Sequence, residues 1–366
     1  MKHSKVFCPA PWVSFYVDPS GNIENCCVSR NKLGNIERGD NLKQVLFHGK
    51  NQNIQKAMLN GQELEGCSWC YDKSHTLQNR FFDIFPDRND PLYESGKFEL
   101  RYLDLRWSNV CNYACIYCGP ELSSTWAQEV GETHRIERET KNSMLDTVLE
   151  QVDTIKELYL AGGEPTMMKE NEILLKELVK RNPDCHVCVN TNLSQTNNRV
   201  FELLTQLPNC QWLVSVDASD AQYEYIRYPG KWSDFSNNLN QLSGDVSFNM
   251  VFISLNALSI WDTIDDLLNR GHQPNVFTLA LYNNGTYPGP WDPRHMSVAF
   301  QQRVLERMNH EKYQTMIGWQ NIFDYLNAGM YNPDVHPWQY LNDLDQRRGL
   351  DSKTIFPEIY QYKDLK

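Results

Sequence analysis

The sequence predicts an α/β protein with a largely parallel sheet. From about residue 100 onwards, short apolar runs alternate with longer segments of helical periodicity. Strands that alternate with helices in this way predict a parallel sheet with right-handed crossovers. Six strands fit an open doubly wound sheet or a partial (β/α) barrel, and both folds place ligands at the carboxyl ends of the strands. The predicted strands are 100–107, 157–161, 186–191, 211–216, 246–255 and 276–282.

Helices are predicted between these strands, most clearly over 173–181, 199–207 and 259–270. In the last segment Ile260 and Ile264 recur at helical spacing, so that one face is apolar. The chain after about residue 291 also has a helical pattern. We therefore expect a helical C-terminal extension over 291–366.

The first 95 residues lack this alternation. The segments 12–17 and 22–26 flank an Asp-Pro-Ser-Gly turn at 18–21, which predicts a β-hairpin. A helical segment over 42–59 follows. We therefore expect a small α+β domain over 1–95 and an α/β domain over 96–290, ahead of the extension.

Composition excludes several classes of protein. The 366 residues include 46 acidic and 35 basic side chains, for a net charge of −11, which argues against binding to nucleic acid or anionic lipid through bulk positive charge. No apolar run approaches the roughly 18 residues of a membrane span. The N-terminus also lacks a convincing secretory signal. The expected location is the cytoplasm.

The eleven cysteines are clustered, and clustered cysteines in a reducing compartment are more often metal ligands than disulfides. Cys111, Cys115 and Cys118 follow the first predicted strand of the α/β region. Structural zinc and closed iron–sulfur clusters normally take four ligands, so three favour a cluster with one open iron. A zinc site with a distant fourth ligand and reduced cysteines in a core loop are the alternatives.

This C-x3-C-x2-C loop resembles that of the radical S-adenosylmethionine (radical SAM) superfamily, and the likeness covers about residues 100–285. Two other features match: Tyr117 before the last cysteine, and the motif Gly162-Gly163-Glu164-Pro165 after the second strand. The resemblance implies a partial (β/α)6 TIM-like barrel that binds a [4Fe-4S] cluster and S-adenosylmethionine (SAM). It places Tyr117 near the adenine and the backbone of the glycine motif at the methionyl amino group.

The same resemblance implies an activity. In that superfamily the reduced cluster cleaves SAM to a 5′-deoxyadenosyl radical, which abstracts hydrogen from a substrate. An external electron donor such as flavodoxin or ferredoxin is implied. Ser215, Asp217 and Arg227 are further candidate cofactor contacts, with Arg227 pairing with the SAM carboxylate. Asn190 and Asn192 resemble the family's Thr-Asn turn. Strand-end or surface roles are the alternatives for these five residues.

A second group of cysteines lies in the first 95 residues: Cys8, Cys26 or Cys27, Cys67 and Cys70. Four such ligands fit structural zinc and a closed [4Fe-4S] cluster equally well. The sequence around them resembles the SPASM/twitch family of auxiliary-cluster domains, which implies a second [4Fe-4S] cluster and favours Cys26 over Cys27. Such domains usually follow the barrel, whereas here the pattern precedes it.

Radical SAM proteins with auxiliary clusters act mostly on peptides or proteins, so the resemblance implies modification of a peptide or protein. A radical activase and an enzyme that modifies a small molecule or nucleotide are alternatives. A zinc-binding scaffold is the alternative from another class. We expect structural roles for Cys185, Cys188 and Cys210.

Overall fold

The structure, a computed structural model, describes residues 4–18, 20–71, 77–133, 138–282, 290–328, 335 and 337–364. The chain divides into two compact units, which are described separately. The N-terminal unit comprises Met1–Val110, His134–Asn190 and Asn197–Cys210, and the C-terminal unit comprises Cys111–Thr133, Thr191–Thr196 and Gln211–Lys366. These limits differ from the predicted division at residues 95 and 290, which stays a prediction.

Nine strands are present in the described residues. They are β1 (Ser14–Val17), β2 (Asn22–Glu24), β3 (Gly34–Asn35), β4 (Tyr102–Leu105), β5 (Glu157–Leu160), β6 (His186–Thr191), β7 (Cys210–Ser215), β8 (Asp245–Phe252) and β9 (Phe277–Leu281).

Nineteen α-helices accompany them in the same residues. The first ten are α1 (Ala10–Val13), α2 (Leu42–Phe47), α3 (Lys50–Leu59), α4 (Ser68–Tyr71), α5 (Leu77–Ile84), α6 (Leu92–Ser95), α7 (Ser124–Val130), α8 (Arg138–Leu149), α9 (Lys169–Arg181) and α10 (Arg199–Leu204). The others are α11 (Asp220–Ile226), α12 (Trp232–Leu239), α13 (Ile260–Asn269), α14 (Val298–Met308), α15 (Glu311–Gln314), α16 (Trp319–Asn327), α17 (Trp338–Arg348), α18 (Ser352–Ile355) and α19 (Pro357–Tyr360).

In the N-terminal unit the strands lie in the order β3-β2-β1-β4-β5-β6. The first three are antiparallel, whereas β1, β4, β5 and β6 are parallel. One face carries the buried apolar row Phe15, Leu103, Leu158 and Val187. Because side chains alternate along a strand, the next row lies on the opposite face. That row is polar and mostly buried: Tyr16, Asp104, Tyr159 and Cys188.

The N-terminal 60 residues differ from the prediction in two places. The strand predicted over 12–17 is wrong at its start, because helix α1, with Pro11 in its first turn, continues to Val13, and only Ser14–Val17 are extended. The single helix predicted over 42–59 is two helices. Gly49, at φ +62°, separates them in the left-handed region that glycine adopts readily.

In the C-terminal unit β7, β8 and β9 are parallel neighbours, aligned through Val214, Phe248 and Phe277. Phe248 and Phe277 are fully buried and their rings stack at 5.1 Å. Six helices follow from residue 298, which confirms the predicted helical C-terminal region. The mixed α/β class and the alternation of β4–β9 with helices are also as predicted, consistent with a partial TIM-like barrel. No helix in the described ranges combines the length and apolarity needed to cross a membrane.

Candidate metal centres

The loop with Cys111, Cys115 and Cys118 lies in the C-terminal unit, and backbone hydrogen bonds to the segment 226–228 hold it in place. Ala114 N donates to Tyr228 O at 2.6 Å, and Ile116 N donates to Ile226 O at 2.9 Å. Cys118 N donates to Cys115 O at 2.9 Å and closes the turn between the last two cysteines. The loop therefore has a defined conformation although it contains no helix or strand.

The thiols of this loop interact with each other and with a cation. Cys115 is buried, and Arg227 Nη1 lies 3.9 Å from its Sγ. A hydrogen bond from Cys118, and then the charge of Arg227, lower the pKa of Cys115. The same hydrogen bond and burial raise the pKa of Cys118. Cys115 is therefore the thiol of this pair that loses its proton more readily, and Cys118 keeps its proton to higher pH.

The third thiol, that of Cys111, is contacted from the loop and from the turn after β6. Tyr113 N donates to Cys111 Sγ at 3.4 Å, and Asn192 Nδ2 lies 3.9 Å from the same sulfur. Asn192 also donates to Asn112 Oδ1 at 3.1 Å. Asn192, singled out by the family resemblance, thus lies beside a cysteine of the loop.

Tyr117, Asp217 and Arg227 form one buried polar cluster, with exposed fractions of 4%, 0% and 4%. The Tyr117 hydroxyl donates to Asp217 Oδ2 at 2.7 Å and accepts from Arg227 Nη2 at 2.8 Å. Arg227 Nε lies 2.7 Å from the same carboxylate oxygen, which makes an ion pair. Burial raises the pKa of Tyr117. The carboxylate partner of Arg227 in this structure is therefore Asp217, and its predicted pairing with SAM stays a prediction.

Two other predicted residues lie elsewhere. Ser215 ends β7, opposite Asn249 of β8, and is partly buried. Asn190, in β6 of the N-terminal unit, donates through Nδ2 to the hydroxyl of Tyr159 at 3.1 Å. Neither position by itself assigns a ligand.

The motif Gly162-Gly163-Glu164-Pro165 follows β5 in the N-terminal unit. Glu164 N donates to Val110 O at 2.7 Å, and a Cβ at Gly163 would lie 2.1 Å from the same oxygen. Gly162 has φ +117°, which L-residues rarely adopt. Gly163 is therefore required by its close approach to the backbone of Val110, the residue before Cys111 in the sequence, and Gly162 by its backbone conformation.

The glutamate of this motif stabilises its own turn. Glu164 is fully buried, and its carboxylate accepts from Thr166 N at 3.1 Å and Thr166 Oγ1 at 2.7 Å. It thereby caps the short 3₁₀ helix Pro165–Met167. Asn198 Nδ2 donates to Thr166 O at 3.1 Å and ties the turn to the residue before α10.

The second group of cysteines surrounds a cavity in the N-terminal unit. Cys8, Cys26, Cys67 and Cys70 all line it, and Trp69, 48% exposed, lies at its edge. Four cysteines from three separate chain segments thus share one space. Such a juxtaposition is what a metal centre held by the N-terminal segment requires.

Adjacent Cys26 and Cys27 have different surroundings. Cys27 does not line the cavity; its thiol hydrogen-bonds with Asp104 of β4, and burial raises its pKa to about 12. Cys26 lies near the thiols of Cys8 and Cys67 instead, and burial raises its pKa. The two cysteines that sequence reasoning could separate only through a family resemblance are thus distinguished by their neighbours.

The thiols around the cavity affect one another. Burial, with the nearby thiols of Cys67 and Cys70, raises the pKa of Cys8. Burial, followed by the effect of Cys70, raises the pKa of Cys67 to about 11. Buried thiolates placed this close together need a compensating positive charge, which a metal centre supplies.

Hydrogen bonds fix the segments that carry these cysteines. Gln78 Nε2 donates to Phe7 O at 2.6 Å, next to Cys8. Arg30 N donates to Gly66 O at 2.9 Å, and Asn31 Nδ2 donates to Cys67 Sγ at 3.2 Å. The chain after β2 and the C-x2-C turn are therefore joined at the cavity.

Within the described part of the chain, no three His, Cys, Asp or Glu side chains converge as they would around a single metal ion. A [4Fe-4S] cluster has a different requirement, because each thiolate binds a separate iron. The cysteines outside the two groups fit structural roles: Cys185 and Cys188 are buried, and Cys210 begins β7.

Residues 105–271 match the model of the radical SAM superfamily. This match lies within the predicted α/β domain and confirms the prediction of an enzyme, with its reaction unspecified. No curated protein sequence matches this chain.

Several solved structures are similar. Native anSMEcpe with bound AdoMet and Cp18Cys peptide is 15% identical, with a TM-score of 0.40, over 63% of this chain and 62% of that chain. Streptococcus suis SuiB bound to precursor peptide SuiA is 14% identical, with a TM-score of 0.40, over 88% and 70%. BtrN in complex with AdoMet and 2-DOIA is 14% identical, with a TM-score of 0.28, over 62% and 87%. This chain therefore spans less than two thirds of anSMEcpe, and likenesses of this degree carry no argument about activity.

We predict that Gly163→Ala destabilises the protein by about 3 kcal/mol or more, because the new Cβ would overlap a backbone oxygen that cannot retreat like a side chain. Urea unfolding measures the loss. The control is Gly96→Ala, which has open space and only the strain of φ +66°, for an expected loss of about 1–2 kcal/mol. Equal losses in the two variants would contradict the steric explanation.

Proposed function

We propose that this protein is a radical SAM enzyme that uses a 5′-deoxyadenosyl radical to abstract hydrogen from a peptide or protein. The observation that carries the proposal is the buried C-x3-C-x2-C loop, with Arg227 beside Cys115. When bound, the cluster supplies the electron that cleaves SAM to this radical. An external flavodoxin or ferredoxin is the expected source of that electron, and the cytoplasm is the expected location.

The residues of the loop fit a [4Fe-4S] cluster. Cys111, Cys115 and Cys118 would bind three irons and leave the fourth for SAM. A cluster with thiolate ligands is anionic, and two guanidinium groups lie near Cys115, those of Arg227 and Arg348. Arg348 Nη1 is buried without a hydrogen-bond partner among the described residues. Positive charge is therefore already present where the cluster would bring negative charge.

The protein's own contribution is orientation and exclusion of water. Tyr117 and Cys115 are almost fully buried, so one side of the loop is dry. The ion pair between Asp217 and Arg227 holds the guanidinium beside Cys115. The backbone of Gly162 and Gly163 is the proposed contact for the amino group of SAM.

In the N-terminal unit, Cys8, Cys26, Cys67 and Cys70 would hold an auxiliary [4Fe-4S] cluster. Their common cavity and their mutual effect on pKa support this assignment. The resemblance to auxiliary-cluster domains favours iron–sulfur over zinc. A peptide or protein substrate rests on the same resemblance, which is an analogy at the level of the family.

Metal analysis tests the two proposed clusters. We expect the anaerobically reconstituted protein to hold about eight iron and eight sulfide, since each [4Fe-4S] cluster contains four of each. Cys118→Ala should reduce both to about four. Stoichiometric zinc without iron would instead support the zinc-binding scaffold.

The variants Cys26→Ala and Cys27→Ala test the choice between adjacent cysteines. We expect Cys26→Ala to lose about four iron, because it removes one of four ligands. Cys27→Ala should keep about eight, since Cys27 contacts Asp104 outside the cavity. The reverse pattern would show that Cys27 is the ligand.

Cleavage of SAM tests the assignment of roles to the two groups. With dithionite as reductant and no substrate, we expect Cys118→Ala to form no 5′-deoxyadenosine. Cys67→Ala should retain measurable formation, because its loop cluster is intact. Cys210→Ala is the control and should match the wild-type protein. Unchanged cleavage in Cys118→Ala would mean that this loop does not bind the reacting cluster.

A further inference from the structure

The C-terminal extension contacts the cysteine loop through the last residue of α17, Arg348. The side chain of Arg348 is only 2% exposed, although it is charged. A buried guanidinium is costly unless its partners replace the lost water. The groups that contact the Arg348 guanidinium therefore indicate the role of this buried side chain.

Two kinds of contact hold this guanidinium. Arg348 Nη2 and Nε donate to the carboxylate of Glu129, at the end of α7, over 3.0–3.2 Å. The rings of Trp126 and Tyr228 lie 4.7 and 4.6 Å from its centre, at cation–π distance. A further donation from Nη2 reaches Ala114 O in the cysteine loop at 3.0 Å.

This carbonyl is the first of three consecutive ones in the loop that accept from a large side chain. Because each donor is a ring or guanidinium N–H on a rigid group, the backbone around Cys115 is held at three points in succession. The donors are Arg348 Nη2 to Ala114 O at 3.0 Å, Trp126 Nε1 to Cys115 O at 2.6 Å and Trp291 Nε1 to Ile116 O at 2.9 Å.

Helix α17 supports all three donors. Arg348 itself belongs to α17 and packs on Trp126, while Tyr340 of the same helix meets Trp291 edge to face at 5.3 Å. Asp345 of α17 also accepts from the Tyr225 hydroxyl at 2.9 Å. Tyr225 directly precedes the stretch 226–228, whose carbonyls pair with the loop. Helix α17 is therefore attached to the loop through Arg348 and to the stretch that pairs with it through Asp345.

We infer that Arg348 is a positioning residue for the cluster loop, which fixes its backbone and places a positive charge at the carbonyl of Ala114, the residue before Cys115. This inference rests on the proposed function, because it concerns the cluster that the loop would hold. A fixed cation stabilises the more negative, reduced form of a cluster and so raises its reduction potential.

Arg348→Gln tests the inference in a Cys67→Ala/Cys70→Ala background, which removes two ligands of the auxiliary cluster. We expect a more negative midpoint potential for the loop cluster in a redox titration followed by electron paramagnetic resonance. We also expect faster loss of iron to a chelator. Arg348→Lys keeps the charge and should return the potential toward the parent value. Iron loss should stay fast, because a lysine ammonium cannot form the paired hydrogen bonds that the guanidinium makes with Glu129.

Arg347→Gln is the matched control, because Arg347 pairs with the same Glu129 but is 35% exposed and makes no hydrogen bond to the loop. It should leave potential and iron loss unchanged. Thermal melting shows whether each variant is folded. If Arg348→Gln does not fold, the rate of iron loss from Arg348→Lys decides whether the inference holds. Parent-like values in the Arg348 variants would overturn this inference only. A wild-type protein without iron and sulfide would overturn the proposed function and, with it, this inference.

Discussion

The ion pair between Asp217 and Arg227 is the interaction on which the cysteine loop depends. Both charges are buried, and Asp217 is further held by Val251 N, which donates to its second oxygen at 2.7 Å. Removing one partner of such a pair typically costs about 3–5 kcal/mol, because the other charge is left without compensation. Arg227 also lies in the stretch whose carbonyls pair with Ala114 and Ile116. Arg227 thus supplies a charge beside Cys115 and lies between the two residues whose carbonyls anchor the loop.

The same constraint, that buried ionisable groups need partners, explains the arrangement around the N-terminal cavity. Cys26 and Cys27 are neighbours in sequence, but Asp104 on β4 provides a hydrogen-bond partner for only one of them. Asp104 is itself paired with Arg106, through two contacts of 3.1 and 3.3 Å. It lies in the row of polar side chains that continues to Tyr16 on β1. The parallel pairing of β1 with β4 therefore connects the cysteine segments to the sheet, although they were predicted to form a separate domain.

The two proposed metal centres differ in what surrounds them. The loop centre has guanidinium groups and aromatic rings close to its thiols, and the C-terminal helices supply part of that environment. The cavity of the N-terminal unit is lined mainly by apolar side chains besides its cysteines, with Trp69 at its edge. A centre surrounded by cations is easier to reduce than one in an apolar cavity. The loop centre is therefore expected to have the more positive reduction potential of the two.

The sequence by itself determined the features that depend on near neighbours. Alternation of strands and helices, the C-x3-C-x2-C spacing and the glycine motif are local patterns, and they led to the α/β class and to the resemblance to radical SAM enzymes. Only the tertiary structure paired Arg227 with Tyr117, across 110 residues, and placed Arg348 on Ala114, across 234 residues. It also separated the surroundings of Cys26 from those of Cys27. The reason is physical: these outcomes depend on which distant groups replace water around a buried charge or thiol, and no local pattern encodes that.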